Sequence, residues 1–409
     1  MRKYFKHIIV LTSIAIYAWF VGWYVLVLLF LSLITIFSSK YASKWSLYIT
    51  SSSLIVGFIA MKYCFPQSQI YLPIGYSVFS FNCISFIVDN RKSNIEDIIS
   101  PLDILCYLFF FPKMLCGPFV KFDAFSSQLN NISIPNARQL YKVFKIIVYA
   151  SFAKFCIADN LSLLISADNY GINAWLASVL FAVQLYLDFY AYSNLAIAIS
   201  LLLGIELPIS FNAPYRSYSF RDFWHRWNIT ISDWLKDYVY IPLGGNRCQK
   251  RYRNTMNIFL TFLVSGLWHG ASIPFILWGT LHGLCYTFEK MVTPFIKKHV
   301  SAKAIYILAM YFLIIMLWQL FRLNSIEELT HLSYCLSTYA PIDVRLGIYV
   351  VLAVAIMAIL DSQYVKHLIF SVKDGQQYIY KEVSLVSILL FMLILFHSHT
   401  QINFFYFKF

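Results

Sequence analysis

The chain has 409 residues, of which 60% are hydrophobic, 19% aromatic and only 12% charged, with a formal net charge of +13. Charged residues normally make up about a quarter of a soluble domain, so this composition excludes a water-soluble globular protein. The basic residues are scattered between apolar runs, which argues against a nucleic-acid binder and for lysine and arginine in cytoplasmic loops. The eight cysteines form no Cys-x-x-Cys pair and mostly lie in apolar runs, where they read as small core residues rather than disulfides or metal ligands.

Residues 1–7 are basic and 8–37 form one long apolar run, enough for one strongly tilted membrane span or two short ones. The run is too long for a signal peptide and shows no clear small-residue cleavage site, so it reads as retained helix. Further apolar stretches follow at 47–63 and 71–88. Segment 104–119 contains Pro112, Lys113, Gly117 and Pro118 and predicts a broken or re-entrant helix buried among others. Lys113 and Asp103 are close enough in sequence to form a structural pair. Segment 140–164 is amphipathic with Lys142, Lys145 and Lys154, and 174–203 is long and apolar. Within it Gln184 and Asp188 share a helix face, as residues four apart do. They are candidates for a tunnel wall or supporting shell, or for a buried hydrogen-bond network joining helices.

The most informative block runs from 215 to 289. In 220–238, Phe220, Phe223, Trp224, Trp227, Ile231, Trp234, Leu235 and Tyr238 recur at helical spacing, with charged residues opposite and Ser219 as N-cap. This pattern predicts a helix lying in the membrane interface. Pro242-Leu-Gly-Gly-Asn246 ends it with turn chemistry, and a basic cluster follows at Arg247, Lys250, Arg251 and Arg253. Between 216 and 253, eight basic residues against three acidic ones place this loop on the cytoplasmic side. His269 then lies sixteen residues beyond Arg253, about 24 Å along a helix. That is membrane depth, where an ionisable group is costly and marks a functional site by default. Small residues on either side, Ser265, Gly266, Gly270 and Ser272, predict a helix break or very close packing there. Imidazole suits a general base at that position, because its proton affinity matches neutral pH. Trp268 either walls a pocket beside His269 or anchors packing. Asn228 either orients a substrate or His269, or is a polar boundary residue; an amide cannot carry the proton. His282 reads as a packing residue. Further spans are expected at 304–320, 346–360 and 383–396, giving roughly ten or eleven membrane segments in all.

Tyr215-Arg-Ser, Phe223-Trp-His-Arg-Trp-Asn-Ile-Thr, Asp237-Tyr-Val-Tyr-Ile-Pro-Leu-Gly-Gly-Asn-Arg247 and Ser265-Gly-Leu-Trp-His-Gly270 together resemble the membrane-bound O-acyltransferases, nearest the alginate O-acetylation branch. Leu72-Pro-Ile-Gly75, Cys116-Gly-Pro-Phe119, Lys154-Phe-Cys-Ile-Ala-Asp159, Gln184-Leu-Tyr-Leu-Asp-Phe-Tyr-Ala-Tyr-Ser193 and the tail at 404–409 extend the likeness in the family order. The resemblance implies an all-α polytopic membrane protein with broken, re-entrant and interfacial helices, embedded as one domain over 1–409. Its N-terminal helices would cover 1–68, its core about 70–325 and its C-terminal helices 326–409. It implies His269 as catalyst, whereas many relatives place a second histidine where this chain has Asn228. It further implies an acyl, most simply acetyl, thioester donor such as acetyl-CoA or an acyl carrier, with no bound cofactor and no metal. The implied partners are membrane lipid, an envelope polysaccharide acceptor and an extracytoplasmic acetyltransferase, in the bacterial cytoplasmic membrane. D-alanyl or peptidoglycan acylation is the alternative within the class. A saccharide or lipid transporter, or flippase, is the alternative outside it; that reading expects inverted repeats, and the sequence shows none.

Overall fold

Every regular element among the described residues is helical, as the run of apolar segments without alternating strands requires. The computed structural model describes residues 2–40, 52, 75–92, 99–114, 117–166, 169–247, 251–270, 272–298, 300–372 and 376–398. The expected span at 47–63, apart from Ser52, and Leu72 to Ile74, Cys116, Lys250 and the aromatic tail lie outside those residues. By length and composition, Gly22–Lys40, Ile172–Leu202 and Tyr378–Phe396 can cross a membrane, with mean hydropathies of 2.0, 1.4 and 2.1. The pair Val344–Leu360 and Gln363–Phe370, bent by 54°, makes a fourth such segment. Other segments of the expected set, such as Tyr4–Phe20 and Lys303–Gln319, are apolar but shorter.

The chain divides into two compact units, one of residues 1–139 and 196–208, the other of 140–195 and 209–409. In the first, the N-terminal apolar run is two helices, Arg2–Val21 and Val25–Lys40, joined by a short turn. Gly22 opens that turn at φ +60°, a conformation glycine adopts without strain. The interrupted segment is broken as its prolines predict: Pro101–Phe109 ends at a non-helical Phe110, and Phe111–Met114 follows. Tyr107, Phe109 and Phe110 are fully buried there, packed edge-on against Phe79, Phe122 and Phe125. Lys113 and Asp103 do not pair. Lys113 is buried, donates to Asn82 Oδ1 at 3.1 Å and lies 3.3 Å above the Tyr107 ring. Asp103, on the other side of the break, binds Lys6 at 2.6 Å.

In the second unit, several charged groups inside the apolar mass are paired, because an unpaired buried charge is strongly destabilising. Lys145 donates to Glu382 at 2.7 Å and to the Leu368 and Ser371 carbonyls. Lys154, in a π-helical turn over Phe152–Ala158, reaches Asp159 at 2.8 Å and Asp188 at 2.6 Å. Asp361 joins Tyr186 and Lys366 at 2.7 and 2.8 Å. The helices Arg251–His269 and Ile273–Lys298 form a tightly packed hairpin. There Gly266 and Gly279 face each other so tightly that a Cβ on either would come within 2.5 Å of the partner helix's carbonyl oxygen. Small residues permit such an approach, and the gain is dispersion contact, since lipid offers little hydrophobic drive between helices.

Candidate active site

The site is built where that hairpin meets the 220–240 segment. The sequence stripe predicts one continuous interfacial helix, but the structure breaks it into Phe220–Arg226, Ile229–Leu235 and a π-turn at Lys236–Tyr240. The break is at Asn228, whose backbone is left-handed at φ 42°, ψ 54°. Asparagine is one of the few non-glycine residues that tolerate that region, through local bonding of its short polar side chain. The freed backbone groups are taken up by a neighbouring strap: Ile229 N–H donates to the Ser210 carbonyl at 2.8 Å, and Asn212 N–H to the Arg226 carbonyl at 3.0 Å. The tryptophans of the stripe face protein rather than the interface. Trp227 and Trp234 are buried, and Trp224 packs edge-on against Trp278 and Phe262. A helical wheel drawn through the break could not show this, because Asn228 redirects everything after it.

Ser219 caps the first helix as expected, accepting from Asp222 N–H at 3.0 Å. Its start is also fastened by Glu289, whose carboxylate accepts from the Phe220 and Arg221 backbone N–H groups and from the Tyr306 hydroxyl. A carboxylate at a helix N-terminus is favoured by the exposed N–H groups and the dipole. This fixes the Asn228 segment to the Ile273–Lys298 helix.

Between these elements lies a cavity of about 300 Å³. His269 lines it, as do Asn228, Trp224, Trp278 and Phe321. His269 is the last residue of its helix and 5% exposed. Its ring meets Phe321 and Trp278 edge-on, with centroids 4.8 and 5.1 Å away. Gly270 follows because a Cβ there would collide with the Phe275 ring at 1.8 Å. Both expectations for the small residues hold, a helix end and a close crossing. Asn228 is also 5% exposed, and its side-chain amide has no hydrogen-bond partner among the described residues. Arg221, His225, Lys236, Tyr240, Asn246 and Lys290 also line the cavity. Lys236 is paired with Asp233 at 2.8 Å, and Lys290 donates to Asn254, which is bonded in turn to Tyr240 and Asn246.

The remaining sequence candidates fall outside this cavity. Trp268 is buried against the His269 ring, with centroids 4.4 Å apart, and does not line the space, which is the packing role. Asp188 belongs to the Lys154 ion cluster, and Gln184 is half-buried; neither is in the cavity wall. His282 bonds the Trp278 carbonyl on its own helix at 2.9 Å. Among the described residues, no group of three or more His, Cys, Asp or Glu side chains could hold a metal ion. Sequence reasoning missed Trp278, Tyr286 and Lys290, although their spacing of eight and four residues puts them on one face of the second helix of the hairpin, a legible signal.

The profile of the membrane-bound O-acyltransferase family matches residues 9–327. The chain belongs to that family. A probable alginate O-acetylase of Pseudomonas syringae pv. tomato is 34% identical over 271 residues, covering 64% of this chain and 51% of the relative. A peptidoglycan O-acetyltransferase of Helicobacter pylori is 32% identical over 305 residues, covering 64% and 56%. A teichoic acid D-alanyltransferase of Streptococcus thermophilus is 27% identical over 271 residues, covering 61% and 65%. The chain thus spans about half the length of the first two relatives.

Proposed function

We propose that the chain is a membrane O-acyltransferase moving an acyl group, most simply acetyl, from a cytoplasmic thioester donor toward an envelope polysaccharide or a partner transferase outside. The observation that carries this reading is the shared cavity of His269 and Asn228, which several cationic side chains also line. The imidazole of His269 takes the proton of the acceptor hydroxyl as its oxygen attacks the thioester carbonyl carbon. The carbon–sulfur bond then breaks, and the imidazolium returns the proton to the leaving thiolate. Asn228 orients the acceptor, its amide being able to donate and accept but not to carry the proton. Arg221 and Lys290 supply charge suited to the phosphate of a coenzyme A or carrier-bound pantetheine arm. The sole acid in the described wall, Asp233, is occupied by Lys236, and Trp278 and Phe321 flank His269. Such surroundings suit an uncharged acetyl group better than an aminoacyl group bearing an ammonium. The basic loop sets the donor side at the cytoplasm of a bacterial cytoplasmic membrane.

Sealed vesicles test the reading. Inside-out membranes given labelled acetyl-CoA are expected to release thiol and label an acceptor, and right-side-out vesicles are not. Equal use from both sides, or none from either, overturns it.

The left-handed backbone at Asn228 sharpens the test of its role. Asn228→Gly keeps the backbone and removes the amide, and it is expected to lower turnover about ten- to a hundred-fold, the worth of one positioning hydrogen bond. Asn228→Ala adds backbone strain of about 1–2 kcal/mol and is expected to be worse in both turnover and protein yield. Asn228→His, whose side chain also tolerates this region, should retain more activity than either. Wild-type turnover in Asn228→Gly would reduce the residue to a backbone role.

A further inference from the structure

On the Ile273–Lys298 helix, Trp278, His282, Tyr286 and Lys290 are each four residues apart and share one face. Trp278, Tyr286 and Lys290 line the cavity; His282 is fully buried and does not. Its ring is enclosed by Trp224, Phe262 and Trp278, with centroids 5.1, 6.3 and 4.5 Å away, and all three of those residues line the cavity. The Nδ1 atom bonds the Trp278 carbonyl at 2.9 Å. A carbonyl only accepts, so Nδ1 carries the proton and Nε2 presents a lone pair. That Nε2 has no partner among the described residues, and neither do the indole N–H groups of Trp224 and Trp278. Buried polar groups are bonded in the great majority of cases, so an unmatched acceptor beside unmatched donors calls for a ligand group offering both.

We propose that His282 Nε2 and the Trp224 indole N–H bind a secondary amide of the acyl donor's arm, making His282 a donor-positioning residue. This rests on the thioester-donor reading above. The amide N–H donates to Nε2, its carbonyl accepts from the indole, and a swing of the Trp224 side chain opens the slot. The order of groups along this face matches that of a pantetheine arm. Successive members of the helix face are separated by about 6 Å of rise. In pantetheine the thioester, first amide and second amide follow one another at about 4–5 Å along the chain. Trp278 beside His269 then stands at the thioester, His282 at the first amide, Tyr286 near the second, and Lys290 toward the phosphate.

The experiment compares two small donors on the same membranes: S-acetyl-N-acetylcysteamine, which carries the first amide, and S-acetyl-pentanethiol, which matches its length without one. Wild-type membranes are expected to favour the amide-bearing donor by about tenfold in kcat/KM, the worth of one good hydrogen bond. His282→Phe is expected to bring that ratio to near one, Trp224→Phe to lower it partway, and His282→Gln, which keeps an acceptor, to restore part of it. Loss of folded protein cancels from the ratio, and Trp224→Phe decides the matter if His282→Phe does not accumulate. A ratio unchanged in both Phe variants, or near one in wild type, overturns the proposal while leaving the donor reading intact. Failure of wild type to use these donors and acetyl-CoA alike would instead remove the donor reading on which it rests.

Discussion

His269→Ala is expected to lower acyl transfer by about two to four orders of magnitude, the range for removal of a general acid–base group. The imidazole is held at a helix end, between Trp278 and Phe321, in the cavity wall. His225 also lines the cavity but is exposed, and His282 is closed off by aromatic rings, so neither is placed to substitute. His269→Gln keeps much of the volume and some hydrogen-bonding capacity but not the proton-accepting group, and it should be as inactive as the alanine variant. Protein abundance in the membrane should match wild type for His269→Gln, since glutamine keeps much of the side-chain volume between the Trp278 and Phe321 rings. Quantifying the variant by immunoblot beside donor turnover gives the decisive comparison; near-normal turnover in either variant ends the assignment.

The second large effect is expected from the glycine crossing. Gly266→Val and Gly279→Val each push a side chain into backbone, because even a Cβ at either position would lie 2.5 Å from a carbonyl oxygen and 3.0 Å from the opposite glycine Cα. Backbone cannot swing aside as a flexible side chain does, so the hairpin must part. Overpacking of this kind costs about 1–3 kcal/mol in stability. The larger consequence is catalytic: Gly266 is three residues from His269, and about 1 Å of misplacement can cost a hundredfold in rate. Gly283→Ala, on the helix of Gly279, is the milder comparison, since its Cβ would meet the Phe259 ring at 3.2 Å and the Phe259 Cα at 3.3 Å, well outside the 2.5 Å clash at the crossing. Thermal stability in detergent and turnover should both fall for the valine variants, and only slightly for Gly283→Ala. Full activity in Gly266→Val would mean that the crossing is not what places the histidine.

Much of this was readable before any coordinates. Apolar runs without alternation gave the helical class, and a histidine among glycines at membrane depth marked the cavity. The break at 104–119 followed from its prolines. What stayed hidden was of two kinds. The turn at Asn228 has no glycine or proline to announce it, and a stripe with apolar residues at helical spacing continues across it, so periodicity reads a single helix. Long-range partners were the other gap. Glu289, a carboxylate in an apolar helix, looks like an isolated charge until the Phe220 and Arg221 N–H groups are seen against it. Lys113 finds Asn82 and an aromatic face instead of the nearer Asp103, because the helix between them stops at Phe110.

The Lys145–Glu382 pair has a consequence for how the molecule is made. Its two members are 237 residues apart in the chain, and both are buried. A ribosome adding about 5–20 residues each second needs on the order of ten seconds or more to reach the second after the first. Through that interval the lysine-bearing helix has no carboxylate waiting for it, and an unmatched ammonium in such surroundings is worth about 3–5 kcal/mol of instability. The Ala137–Ser151 helix is therefore expected to stay near water or a chaperoning surface until the Gln376–Phe396 helix brings Glu382 to it.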